Sequence, residues 1–140
     1  MTDNLITFDT NILVYSIDID AGEKHRIASE LLESAISQPC FLTVQVLSEF
    51  FTVAVRKKNL PIDDAIAQIK DWKKLFPIAF ATEHSLIKAT YAVKNHSLAF
   101  WDAMLWAVAA ENKATTLFSE DFQTNRTLEG VKFINPFNHN

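Results

Sequence analysis

The chain has 140 residues, about half of them hydrophobic and eleven of them phenylalanine, which predicts a single domain over residues 1–140 with a sizeable core. A formal net charge of −4 counts against nucleic-acid binding, that of a nuclease included, although clustered metal-binding acids could themselves produce this charge. Two glycines are too few for a glycine-rich phosphate loop. The lone Cys40, the absence of a signal-peptide pattern and the lack of a long uncharged apolar run favour a cytoplasmic protein with no membrane contact.

The hydrophobic pattern predicts short strands that alternate with helices along the whole chain. Strands are expected at residues 5–8, 40–43, 77–80, 115–118 and 132–134, and helices at 11–17, 23–37, 44–58, 60–75, 82–95 and 99–112. Ser97 is the expected cap of the last helix. The alternation predicts an α/β fold of three layers, in which a central parallel sheet is flanked by helices on both faces.

Two acids directly follow predicted strands. Asp9 ends the first apolar strand and Asp121 lies just past a late one, and open α/β sheets bind ligands beyond the carboxyl ends of their strands. Both acids have a simpler explanation as helix caps or turn residues, and Thr10 is the expected cap of the first helix. Glu120 stands beside Asp121, so either of the two acids is able to face inward.

Two further acids interrupt apolar helices. Glu49 is the only acid of its predicted helix, and Asp102 is the only carboxylate or amine between Lys94 and Glu111. Burying either one without a partner is costly, because loss of water disfavours the charged form. The alternatives are a narrow exposed edge for Glu49 and a favourable contact with the helix dipole for Asp102.

Convergence of these acids would require protons or a divalent cation. Two unit charges about 4 Å apart repel by about 4 kcal/mol at an effective dielectric of 20. Oxygen ligands without histidine or cysteine select Mg²⁺ or Mn²⁺, and no Cys/His metal-ligand spacing occurs in the chain. Such ions activate water and hold the oxygens of a phosphodiester. The acids therefore predict metal-dependent hydrolysis of a phosphate ester.

Four short motifs in this order resemble those of the PIN-domain ribonucleases, and within them the VapC-type toxins of bacterial toxin–antitoxin pairs. They are Phe8-Asp9-Thr10-Asn11, Ser48-Glu49-Phe50, Trp101-Asp102-Ala103 and Leu117-Phe118-Ser119-Glu120-Asp121-Phe122. The closing segment at residues 130–137 is also similar to the last strand of that family. The resemblance spans essentially the whole chain and implies a PIN-like fold.

The resemblance also implies a site and partners. Mg²⁺ or Mn²⁺ would bind at Asp9, Glu49, Asp102 and Asp121, and these acids would be the catalytic residues. Asn11 and Ser119 would position the substrate or support the metal ligands. The implied protein is an endoribonuclease toxin that forms a homodimer, cuts RNA to leave a 3′-hydroxyl, and is inhibited by a VapB-type antitoxin. Gln123 stands where some relatives carry another acid, so a complete second metal site is not implied.

Two other functions compete with this one. An aspartyl-phosphate phosphatase or receiver-like domain also ends its first strand in Asp, but it usually has a second nearby acid and a later Lys. Thr7 and Asn11 are not acids, and Ser119-Glu120-Asp121 contains no lysine. A non-catalytic PIN-like RNA-binding module is disfavoured because all four acids are present.

Basic and aromatic residues give weaker signals. The basic clusters at residues 56–58 and 70–74 are expected to be solvated helix faces more often than RNA contacts. Trp101 and Trp106 are expected to pack in the core, with stacking on an RNA base as the alternative.

Overall fold

Strands and helices alternate along residues 4–137, the part of the chain that the computed structural model describes. The strands are β1 (Ile6–Phe8), β2 (Leu42–Thr43), β3 (Ile78–Ala79), β4 (Thr116–Phe118), β5 (Thr127–Leu128) and β6 (Val131–Ile134). The helices are α1 (Thr10–Ile17), α2 (Glu23–Ala35), α3 (Val44–Arg56), α4 (Ile62–Leu75), α5 (Glu83–His96) and α6 (Phe100–Glu111), and a 3-10 turn at Ile19–Ala21 follows α1. The predicted α/β class is confirmed.

The main sheet has the strand order β1-β4-β6-β5. β1 pairs with β4 and β4 pairs with β6 in parallel, while β2 and β3 form a separate parallel pair. A single parallel bridge between Ile6 and Cys40 connects β1 to the segment that precedes β2. The central parallel sheet flanked by helices is therefore confirmed, and β1 and β4 lie side by side, with Ile6 opposite Thr116.

One strand was not predicted. β5 pairs antiparallel with β6 through a two-residue turn at Glu129 and Gly130, with Leu128 opposite Val131. Both turn residues have positive φ, 47° and 83°, as a type I′ hairpin requires. Gly130 adopts such a φ without steric cost, so it was the signal in the sequence for this hairpin.

The core is filled from the sheet on one side and the helices on the other. Phe8, Leu117 and Phe133, one from each parallel strand, are fully buried. Trp106 is 1% exposed and its indole N–H donates to the carbonyl of Leu128 at 3.1 Å, so its predicted core position is confirmed. Within residues 4–137, no helix is both long and apolar enough to cross a membrane.

The structure corrects three local predictions. The N-cap of α1 is Asp9 and not Thr10, because the Asp9 carboxylate accepts the Thr10 N–H at 2.7 Å. Ser97 does not cap α6: it ends α5 with φ of 58°, and Ala99 is the N-cap of α6. A left-handed residue is a common way to end a helix, and here it reverses the chain before α6 begins. Trp101 is 62% exposed, so its predicted core position is wrong.

Candidate active site

The four predicted acids line one pocket of about 300 Å³. Asp9 follows β1, Asp121 lies shortly after the adjacent strand β4, Glu49 belongs to α3 and Asp102 to the first turn of α6. Parallel neighbours such as β1 and β4 end at the same edge of the sheet, which is why the first and last of these acids meet. The other lining residues are Thr10, Asn11, Val14, Tyr15, Val53 and Lys58.

Asp9 is the buried member of the set, with 6% of its surface exposed. One carboxylate oxygen accepts the Thr10 N–H and the other accepts the Ser119 hydroxyl at 2.7 Å. The pKa of Asp9 is raised from its ordinary value of 3.8 to about 6: burial and the charges of Asp121 and Asp102 raise it, and the two hydrogen bonds partly offset this rise. Burial and the like charges outweigh the hydrogen bonds, so the carboxylate is held at an energetic cost.

Ser119 and Asn11, which the resemblance places beside the acids, contact them directly. The buried Ser119 hydroxyl donates to Asp9 and accepts the Asp121 N–H at 3.0 Å. The Asn11 amide donates to the Asp121 carboxylate at 3.1 Å. These contacts fix the positions of two of the four acids relative to each other.

Glu49 and Asp102 lie on α3 and α6, and hydrogen bonds from Gln45 connect these two helices. The Gln45 side-chain amide donates to the Glu49 carboxylate at 2.8 Å and to the Trp101 carbonyl at 3.0 Å, which links α3 to α6. Burial raises the pKa of Asp102, and the charges of Asp121 and Glu49 raise it further. Asp102 does lie in the first turn of its helix, the position that the helix-dipole alternative requires, and its pKa is nevertheless raised.

The oxygen atoms of the pocket are of the chemical types that a hard divalent cation binds. Besides the carboxylates, Thr10 Oγ1 and Asn11 Oδ1 are buried and have no hydrogen-bond partner among the described residues. Hard cations bind such carboxylate, amide and hydroxyl oxygens. However, within residues 4–137 no three His, Cys, Asp or Glu side chains are placed so that they could hold one ion together. The acids line a shared pocket but do not form a closed cage, and the metal site stays a prediction.

Glu120 is bound to other residues beside the pocket. Its carboxylate accepts the Tyr15 hydroxyl at 2.5 Å and pairs with the Lys24 ammonium at 2.9 Å. Burial and the contact with Glu120 both raise the pKa of the Tyr15 hydroxyl. Tyr15 lines the pocket and Glu120 does not, so Glu120 supports the pocket wall instead of joining the four acids.

Tyr15, Val53 and Lys58 line the pocket but were not predicted as site residues. Helix geometry was a usable signal for two of them: Tyr15 lies four residues after Asn11, and Val53 lies four residues after Glu49, so each pair shares a helix face. Lys58 is exposed, as expected for its basic cluster, and follows the end of α3, where no such spacing applies.

Asp102→Asn is expected to stabilise the metal-free protein by about 1 kcal/mol at neutral pH, because it removes a carboxylate that burial and like charges disfavour. Asp64→Asn is the matched control, since Asp64 also lies in the first turn of a helix but is exposed. Losing the helix-dipole contact alone destabilises, so Asp64→Asn is expected to lower the melting temperature slightly. Thermal unfolding in EDTA checks both variants. A lower melting temperature for Asp102→Asn would argue against repulsion among the acids.

Comparison with known proteins agrees with the fold. The family model of the PIN domain matches residues 6–127, so this chain belongs to the PIN domain family. The family expected from the motifs is thus confirmed. No curated protein sequence matches the chain.

Solved structures of toxin proteins share this fold. A toxin–antitoxin complex from Klebsiella pneumoniae contains a chain with a TM-score of 0.68 and 22% identity, covering 94% of this chain and 98% of that chain. VapC20 from Mycobacterium tuberculosis, described as a sarcin-ricin loop cleaving toxin, has a TM-score of 0.65 and 20% identity over 80% of this chain and 86% of that one. DNA-bound VapBC from Salmonella typhimurium has a TM-score of 0.67 and 12% identity, covering 93% of this chain and 96% of that chain. At these identities the likeness establishes a common fold.

Proposed function

We propose that this PIN-domain protein is an endoribonuclease that depends on Mg²⁺ or Mn²⁺ and acts as the toxin of a toxin–antitoxin pair. The observation that carries the proposal is the pocket in which Asp9, Glu49, Asp102 and Asp121 meet from four separate elements. The similarity to VapC20, which is described as a toxin that cleaves the sarcin-ricin loop, supports the same chemistry.

The residues of the pocket have distinct roles in this proposal. Asp9, Glu49, Asp102 and Asp121 would hold the cation, which supplies an activated water and neutralises charge on the phosphodiester. Ser119 and the Thr10 N–H hold the Asp9 carboxylate from two sides, so the ligand set starts from a fixed position.

Two amides orient two of the three remaining ligands. Asn11 holds Asp121 and Gln45 holds Glu49, each through one hydrogen bond to a carboxylate oxygen. Their second carboxylate oxygens stay available to the pocket. Water attack on phosphorus would break the bond to the 3′-oxygen and leave a 5′-phosphate on one product and a 3′-hydroxyl on the other. The attacking water would lose a proton to solvent or to a carboxylate, and the departing 3′-oxygen would take up a proton from solvent.

The proposal extends to partners. We propose a VapB-type antitoxin as the inhibitor, a homodimer as the assembled form, the cytoplasm as the location and residues 1–140 as one domain. The Klebsiella pneumoniae and Salmonella typhimurium neighbours are toxin–antitoxin structures, which supports the antitoxin. Exposed apolar side chains on α5 and α6, among them Ile87, Tyr91 and Trp101, give a surface suited to a subunit contact.

The direct test uses protein purified free of any partner. Single-stranded RNA is expected to be cut in Mg²⁺ or Mn²⁺, with 3′-hydroxyl products, and to stay intact in EDTA. Cleavage that persists in EDTA would contradict the metal mechanism. Binding of RNA without cleavage under any metal condition would favour the non-catalytic module. The product of a neighbouring reading frame is expected to bind the protein and stop cleavage, which tests the toxin assignment separately.

A further inference from the structure

One positively charged side chain lies at the acidic pocket. Among the lining residues that the structure describes, Lys58 alone carries a positive charge. Its ammonium lies 2.9 Å from the carboxylate of Asp18, which is outside the four-acid set. The Lys58 side chain is 38% exposed, so it lies at the rim of the pocket and not in its floor.

The end of α3 fixes the backbone of this lysine. The Lys58 N–H donates to the Val53 carbonyl at 3.2 Å, and the Leu60 N–H donates to the Ala54 carbonyl at 2.9 Å. Asn59 between them has φ of 56°, the left-handed conformation that ends many helices. Lys58 is therefore presented from a closed helix terminus, and its flexible side chain carries the charge to the pocket rim.

A substrate phosphate needs such a cation. Four carboxylates repel a polyanion that approaches the pocket, and Lys58 offsets part of this repulsion at the rim. The pair with Asp18 is only partly exposed, with 38% of the Lys58 side chain and 12% of the Asp18 side chain accessible to solvent. Asp18 also accepts the Asp20 N–H, so its carboxylate keeps one hydrogen bond when Lys58 turns to a phosphate oxygen.

We propose that Lys58 is a substrate-binding residue that leaves Asp18 and binds a backbone phosphate of the RNA held in the pocket. The inference rests on the proposed ribonuclease function and adds a residue to it. A purely structural role is the alternative, in which the ion pair only connects the end of α3 to the segment after α1. The two roles differ in what Lys58 changes: binding of RNA in the first case, stability of the fold in the second.

Steady-state cleavage of single-stranded RNA by Lys58→Met separates these roles. KM is expected to rise about tenfold, more than kcat falls, because one charged contact to the substrate is lost. The slope of log kcat/KM against log salt concentration is expected to become shallower by about 0.7, the value for one phosphate contact on a single strand. Lys58→Arg keeps the charge and is expected to restore both quantities towards the wild-type values.

The matched control is Lys57→Met, which removes the same charge from an exposed neighbouring residue that does not line the pocket. Equal KM values and equal salt slopes for Lys58→Met and Lys57→Met, with RNA cleaved normally by the wild type, would overturn the inference and leave the proposed function standing. A fall in melting temperature with KM unchanged would also overturn it, in favour of the structural role. A wild-type protein that cleaves no RNA would overturn both.

Discussion

Asp9→Asn is expected to reduce RNA cleavage by roughly 10²–10⁴-fold without unfolding the protein, the range over which positioned charged groups act in catalysis. The substitution keeps the shape of the side chain, removes its charge and reverses the hydrogen bond with Ser119, whose hydroxyl proton loses its acceptor. The Asn oxygen still accepts the Thr10 N–H, and its amide nitrogen replaces the oxygen that faces Ser119. The Ser119 hydroxyl has a lone pair to accept that new donor. The buried carboxylate at the strand end is lost, and with it one of the proposed metal ligands.

The rate for single-stranded RNA in Mg²⁺ measures this effect, and titration with Mn²⁺ measures loss of the site independently of turnover. Asp71→Asn is the matched control, because Asp71 is exposed on α4 and does not line the pocket. It should cleave RNA at the wild-type rate and bind Mn²⁺ equally well. If Asp9→Asn cleaved RNA at the wild-type rate, Asp9 would not be a catalytic residue.

Asp9 is expected to make the stability of the metal-free protein depend on pH. Its contribution to the free energy of unfolding is expected to fall by about 3 kcal/mol as the pH rises from about 4 to about 6. The pKa of Asp9 is about 6 in the folded protein and 3.8 as its ordinary value. Between these values the folded state keeps a proton that the unfolded state has released, so stability decreases with rising pH. Below about pH 4 both states are protonated, and above about pH 6 both are ionised.

Urea denaturation in EDTA at a series of pH values checks this, with Asp9→Asn as the reference that cannot ionise. The difference in free energy of unfolding between variant and wild type is expected to grow in favour of the variant across this interval and to level off near pH 7. Comparing the two proteins cancels the titration of the carboxylates that do not interact with Asp9. Parallel curves for the two proteins would show that burial does not raise the pKa of Asp9.

The acids of the site were predictable because each stands out against its own local pattern. Asp9 and Asp121 end apolar strands, and parallel strands bring such ends to one edge of the sheet. Glu49 and Asp102 interrupt apolar helices; the structure leaves Glu49 on an exposed edge, the alternative open from the sequence, and partly buries Asp102, where a carboxylate costs free energy. Element order and the parallel sheet followed from the same hydrophobic patterns, which are local properties of the chain.

Features that depend on tertiary contacts were not predictable. Gln45 orients Glu49 only because α6 brings the Trp101 carbonyl within reach, and nothing near Gln45 in the sequence indicates this. The choice of Asp9 over Thr10 as the cap of α1 depends on where the helix begins, within a single residue. Lys58 lines the pocket because of the direction in which α3 ends, and the composition of its basic cluster does not indicate that direction.

The hydrogen bond between Ser119 and Asp9 spans nearly the entire chain, since it joins the end of β4 to the end of β1. During synthesis on the ribosome, the Asp9 segment leaves the exit tunnel long before Ser119 and Asp121 are added. A nascent chain that stops before β4 thus has the first acid but neither the serine that holds it nor the last acid. Under the proposed ribonuclease function, a nascent chain of this length could not yet cleave the messenger RNA that encodes it.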